Sequence, residues 1–217
     1  MRIAPYLAAA ALALAACDND SYNTGDGRYS YMSTDFVEAH TAAKATVDRI
    51  VTDEGVALQL SPAITAAWAD KADTTYRALL YYDYHEGATT VRPRSISQVP
   101  VLSPIQTARP DTLHTDPLTL VSTWKSTSGK YLNLRLSVKT GTSDDGTLGR
   151  QTIGVRCDTL TDNGRDHLVF TLLHNQNGVP QYYSATAFAS IPLDNRARAA
   201  KITLRIATYG GIIERQY

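Results

Sequence analysis

The sequence predicts an all-β protein: a small barrel, then an antiparallel β-sandwich, behind an N-terminal export segment. Three observations carry this. Tyr131 to Lys139 alternates without fault, with Leu132, Leu134, Leu136 and Val138 on one face and Tyr131, Asn133, Arg135, Ser137 and Lys139 on the other. One dry face and one wet face is the pattern of an antiparallel sheet. Asn163-Gly164 and Asn177-Gly178 punctuate the second half, and such pairs tolerate the positive φ angles of tight turns. The first half consists instead of short, uneven β-like runs, which suit a small barrel better than a flat sheet. No repeat or heptad interrupts either half.

The chain opens with Arg2 as a positive n-region, Tyr6 to Leu14 as an apolar run, and Ala15-Ala16 as the small residues before a cut. This is the build of a signal peptide over residues 1–16, and the run is shorter than the roughly 20 residues of a membrane-spanning helix. Cys17, directly after Leu14-Ala15-Ala16, resembles the lipobox of bacterial lipoproteins. The resemblance implies that Cys17 is the lipid attachment site and carries two or three acyl chains, which hold a membrane where one would not. Asp18-Asn19-Asp20 resembles the surface-export tag of Bacteroidota lipoproteins, which implies an outer-membrane, surface-exposed protein. A periplasm-facing protein is the alternative, and enterobacterial rules would hold it at the inner membrane. A plain solvated tether is the third reading. Residues 17–28, with Asn23, Gly25, Asp26 and Gly27, have tether composition.

Residues 29–112 form the expected barrel. Val47–Thr52 and Val56–Leu60 are brief strands around a turn at Asp53-Glu54-Gly55. Ser61-Pro62 suits an N-cap and first helical position, predicting a helical turn or two over Ala63–Ala69. Arg77–Tyr84 is the strongest strand of this half, and Thr89–Arg94 pairs with it across Glu86-Gly87, with Pro93 at an edge or strand end. Pro100, Pro104, Pro110 and Pro117 mark a junction, and the boundary is placed near residue 112.

Residues 113–217 form the expected sandwich. After Tyr131–Lys139 comes a strand in which Ile153, Val155 and Cys157 share a face, making Cys157 a buried small hydrophobe. Leu168–His174 is apolar on both faces, as a central strand should be, Tyr182–Ile191 returns, and Lys201–Thr208 closes the set. Six or seven antiparallel strands with meander turns amount to a sandwich.

The lipobox, the barrel segment Arg77-Ala-Leu-Leu-Tyr-Tyr-Asp-Tyr84, the first long sandwich strand around Asn133-Leu-Arg-Leu136, and the stretch from Phe170 through His174 and Tyr182-Tyr183 to Phe188 and Ile191-Pro-Leu-Asp194 together resemble the NigD-like lipoproteins of Bacteroidota. The resemblance covers nearly the whole mature chain. It implies an N-terminal OB-like barrel, a C-terminal β-sandwich, and a link to the bacteriocin operon from which the family is named. No catalytic residues come with it.

Charge and composition exclude some functions. Without residues 1–16 the chain keeps 20 of its 21 basic residues against 21 acidic ones, a net charge of −1. With no basic block, nucleic acid is not an expected partner, OB-like barrel notwithstanding. With Cys17 lipidated, Cys157 is alone and no internal disulfide forms. His40, His85, His114, His167 and His174 show no ligand spacing, so neither metal nor cofactor is expected and surface or strand-end positions are. Asp144-Asp145-Gly146 reads as a turn, although its carboxylates could meet calcium. Gly-x-Ser-x-Gly and Ser-x-x-Lys do not occur, and no enzyme is expected.

Tyrosine is the compositional oddity, with 13 against two tryptophans and three phenylalanines. Alternation puts one ring of Tyr81-Tyr82 and one of Tyr182-Tyr183 in the core and the other outside. A flat ring with a hydroxyl suits glycans and proteins, although half-buried strands favour tyrosine anyway. These four are the candidate contact residues. The expected function is a non-catalytic binding module at the cell envelope, linked to bacteriocin immunity or export. The alternative is a structural subunit or anchor of a fimbria-like assembly.

Overall fold

The computed structural model describes residues 32–105, 113–143, 146, 149–162 and 165–217. Cys17, the tether, the boundary at 112, Asp144-Asp145 and Asn163-Gly164 lie outside them.

Five strands close the expected barrel: β1 (Met32–Ala43), β2 (Thr46–Thr52), β3 (Ala57–Thr65), β4 (Thr75–Asp83) and β5 (Thr90–Gln98). Their order is β1-β2-β3-β5-β4, with β4 pairing back onto β1 and β3 running parallel to β5. Val37 and Ala39 from β1, Ile50 from β2, Leu58 and Leu60 from β3, and Ala78, Leu80 and Tyr82 from β4 fill it. The turn at Asp53-Glu54-Gly55 forms as predicted, with Gly55 at φ 87°.

The helical turn expected over 63–69 does not form, because β3 runs on to Thr65. Val47 pairs with Ile64 and Arg49 with Gln59, so two steps along β2 face five along β3. Pro62, after a cis peptide bond, sits in this excess, where its missing N–H costs no ladder bond. Pro93 likewise lies at a bulge rather than a strand end. Tyr81 faces Ser95 and Tyr82 faces Pro93, leaving Arg94 as the extra residue.

Seven strands make the sandwich: β6 (Thr119–Lys125), β7 (Tyr131–Thr140), β8 (Thr152–Asp162), β9 (Arg165–Asn175), β10 (Tyr183–Pro192), β11 (Lys201–Thr208) and β12 (Gly211–Gln216). A short helix, α1 (Asn195–Ala199), joins β10 to β11. One sheet has the order β10-β7-β6 and the other β12-β11-β9-β8. Leu132, Leu134, Leu136, Phe170, Ile191 and Leu204 are among the core between them. β9 is central, as expected. The purely antiparallel expectation needs one correction: β9 and β11 pair in parallel, because β10 crosses to the opposite sheet between them. Asn177 (φ 49°) and Gly178 (φ 69°) make their turn at that crossing, not in a hairpin. Lys201–Thr208 does not close the set, since β12 pairs with it antiparallel.

The proline-rich stretch adds bridges rather than strands, Val101 to Ser190, Ile105 to Arg156 and Thr115 to His174. Leu102 already belongs to the sandwich core.

The two domains meet across the outer face of β4. Phe36, Leu79 and Val99 form a small cluster, with Tyr81 and, from the sandwich, Phe188 packed on it. Phe36 meets Trp124 and Phe188 edge-on, at 5.3 Å and 5.7 Å between ring centres. Beside them the Arg77 guanidinium lies over the rings of Phe36 (5.3 Å) and Tyr131 (4.1 Å). Its Nη2 bonds Asp53 at 2.7 Å and Asn133 Oδ1 at 3.0 Å, and its Nε donates to Ser190 Oγ at 3.2 Å. Asn133 donates to Asp53 at 2.6 Å and Ser190 to Asn133 at 2.8 Å. Asn133 is therefore not on a wet face. It is fully buried, because the barrel covers that part of β7.

Candidate functional site

Of the four candidate tyrosines, the barrel pair is not open to solvent. Tyr82 is in the barrel core, its hydroxyl donating to Asp35 at 2.7 Å. Burial first, and then that carboxylate, push its ionisation far above the ordinary tyrosine range. Tyr81 is half-buried in the seam between the domains.

The sandwich pair departs from the expectation in the other direction, since both rings are out. Tyr182 is 70% exposed and Tyr183 55%. β10 begins only at Tyr183, so strand alternation does not govern Tyr182. Tyr182 instead lies against Gly141, where an added Cβ would come within 2.8 Å of its ring. Tyr209, in the turn between β11 and β12, joins this end of the sandwich. It is 50% exposed, and its hydroxyl reaches Gln181 Oε1 at 3.5 Å. Ile212 on the edge strand β12 is exposed as well. Tyr183 stands five residues before Phe188 of the seam, roughly 16 Å along the strand. The three exposed tyrosines thus form a tip facing away from the barrel. Sequence alternation could not single out Tyr209, which belongs to a turn.

A second feature is a cleft of about 490 Å³ where β1, the sandwich and α1 meet. Glu38 stands on its rim, accepting from Lys130 Nζ at 2.7 Å and from the Tyr131 hydroxyl at 3.1 Å. Burial, then the charge of Glu38, raises the Tyr131 hydroxyl's pKa above its ordinary value. Cys157 lines the same cleft, only partly buried rather than buried as expected, and burial followed by the charge of Asp158 raises its thiol's pKa.

The histidines are not all at the surface. His174 is 2% exposed, with Nδ1 3.1 Å from the Asp116 carbonyl and Nε2 2.9 Å from Gln151 Oε1. Its role is to tie β9 to the loop before β6 and to the β7–β8 connection. Among the described residues no group of three or more His, Cys, Asp or Glu is placed to hold a metal ion. No helix among them is long and apolar enough to cross a membrane.

Known proteins place this architecture. The chain is similar over 85% of its length to a NigD-like immunity protein from Bacteroides caccae, with 96% of that chain covered, 23% identity and a TM-score of 0.68. A candidate toxin-related protein from Parabacteroides distasonis (13% identity, 86% of this chain, 92% of that one, TM-score 0.61) has the same fold. So does a candidate lipoprotein from Bacteroides fragilis (13% identity, 86% and 96% covered, TM-score 0.60). No curated protein matches by sequence. Residues 101–216 match the NigD-like C-terminal beta sandwich domain, and the chain belongs to the NigD-like family.

Proposed function

We propose that this protein is a non-catalytic envelope lipoprotein of immunity type that binds a protein partner through the tip formed by Tyr182, Tyr183 and Tyr209. The observation that carries the reading is the exposure of three tyrosines at one end of a rigid sandwich. Tyrosine offers a large contact area at low conformational cost and is enriched in interface hot spots. The similarity to an immunity protein and to a candidate toxin-related protein supports a toxin as the partner. Lipidation at Cys17 would hold the chain on the outer membrane, and the acidic Asp18-Asn19-Asp20 supports display on the outer surface, with the tip directed away from the barrel end.

Deleting the gene and challenging the cells with bacteriocins of neighbouring strains tests this. Wild-type protein is expected to restore protection. A Tyr182→Ser, Tyr183→Ser, Tyr209→Ser variant of unchanged thermal stability is expected to lose it, with partner affinity falling about tenfold or more. Full protection by the variant would sink the tip as the contact.

One observation favours the structural alternative. β12 is an edge strand with five of its six residues exposed, including Ile212. An edge of this kind can accept an added strand. Polymeric forms that vanish on Ile212→Lys would support a fimbria-like assembly instead.

A further inference from the structure

The cleft between the domains has a chemistry of its own, far from the tip. Its floor is apolar: Pro104 and Pro192 face it, backed by the buried Leu168, Phe170 and Leu193 of the sandwich core. Its rim carries three cations, Lys130, Arg196 and Arg198, against two carboxylates, Glu38 and Asp194. Most of these charges are already engaged. Glu38 holds Lys130 at 2.7 Å, and Asp194 spends Oδ1 on the backbone N–H of Ala197. Arg196 donates from Nε to Asp166, outside the cleft, at 2.6 Å. Arg198 uses only Nε, on the Leu193 carbonyl at 3.1 Å, and has no carboxylate partner among the described residues. Among the described residues neither guanidinium has a partner at its Nη atoms, which face solvent. Planar donors of this kind fit a carboxylate.

We propose that the cleft binds a small amphipathic carboxylate. Its apolar chain lies on Pro104 and Pro192 over the edge of Leu168, and its headgroup meets Arg198 with support from Arg196. A cleft of about 490 Å³ at a domain junction, lined in equal parts by apolar and by polar or charged side chains, suits a ligand that is itself amphipathic. The site stands at the opposite end of the sandwich from Tyr182 and Tyr183, so its failure leaves the tip untouched.

Cys157 lines the cleft and gauges its occupancy. In the full chain carrying Cys17→Ser it is the sole cysteine. The experiment follows maleimide labelling of Cys157 with decanoate, decanol or acetate present, with calorimetry as a second readout. Decanoate is expected to slow labelling, while decanol lacks the charge, acetate lacks the chain, and neither protects. Arg198→Gln is expected to raise the decanoate concentration needed by about tenfold or more, as loss of a charge-assisted hydrogen bond does. Arg198→Lys, which keeps the charge and loses the fork, should fall between. If Arg198→Gln labels faster than wild type without ligand, its fold is disturbed and Arg198→Lys decides. Absence of protection by decanoate, equal protection by decanol, or protection that survives in every folded Arg198 variant overturns the proposal.

Discussion

Arg77 on β4 donates from Nη2 to Asn133 Oδ1 on β7 at 3.0 Å, a hydrogen bond across 56 positions that joins barrel to sandwich. The Arg77 side chain is 1% exposed, and that of Asp53, its ion-pair partner, 17%. Removing one partner of a buried ion pair leaves the other desolvated and uncompensated. Arg77→Ala is therefore expected to cost about 3–5 kcal/mol, read as a lowered urea midpoint. Arg77→Lys should also be destabilised, because an ammonium cannot reach Asp53, Asn133 and Ser190 while lying flat against Phe36 and Tyr131.

Gly141 makes room for Tyr182. A Cβ there would stand 2.8 Å from the tyrosine ring and 3.0 Å from the Pro180 carbonyl oxygen. The ring can swing away, but the backbone oxygen cannot move alone. Gly141→Ala is expected to cost about 1–3 kcal/mol through overpacking and to displace Tyr182. Urea unfolding checks the first effect and partner affinity the second. Unchanged values in both would show that the tip does not depend on this contact.

Stability should fall at alkaline pH through Tyr131. Its pKa is raised in the folded chain above the unfolded value of 10.0, by burial first and by Glu38 next. Below that value the hydroxyl keeps its proton in both states and the stabilisation is whole. As pH rises past it, the unfolded chain ionises while the folded chain resists, so ionisation pulls toward unfolding. Tyr82 shifts in the same direction and adds to the loss. Urea midpoints from about pH 8 to pH 12 are expected to drop less steeply in Tyr131→Phe than in wild type.

Much of the fold is legible because alternation reports which face of a strand is dry. Leu132, Leu134 and Leu136 are fully buried as their spacing requires. Asn133 shows where that logic ends: period two can say that it faces away from the sandwich core, but not that a second domain covers it. Its partner Arg77 is a charge within the most apolar strand of the first half, and the groups that Arg77 meets, Asp53, Asn133 and Ser190, are scattered along the chain. The helix expected after Ser61-Pro62 fails for a similar reason. Capping preferences are local, whereas the pairing of Ile64 with Val47 is not. Tyr182 and Tyr209 escape alternation altogether, because connections between strands have no period.

The lipidation proposed for Cys17 can be checked without a ligand. Cys17→Ser is expected to abolish palmitate incorporation and to release the protein from the membrane fraction, since the only other cysteine, Cys157, lies partly buried in the fold. Protease treatment of intact cells is expected to remove the wild-type chain, because the acidic segment directly after Cys17 resembles a surface-export tag. Glycans, toxins and neighbouring cells would then be within reach of the tyrosine tip. If the chain survives until the envelope is opened, it faces the periplasm, and Asp18-Asn19-Asp20 is a tether. A toxin partner, as proposed, would then have to be met after it crosses the outer membrane.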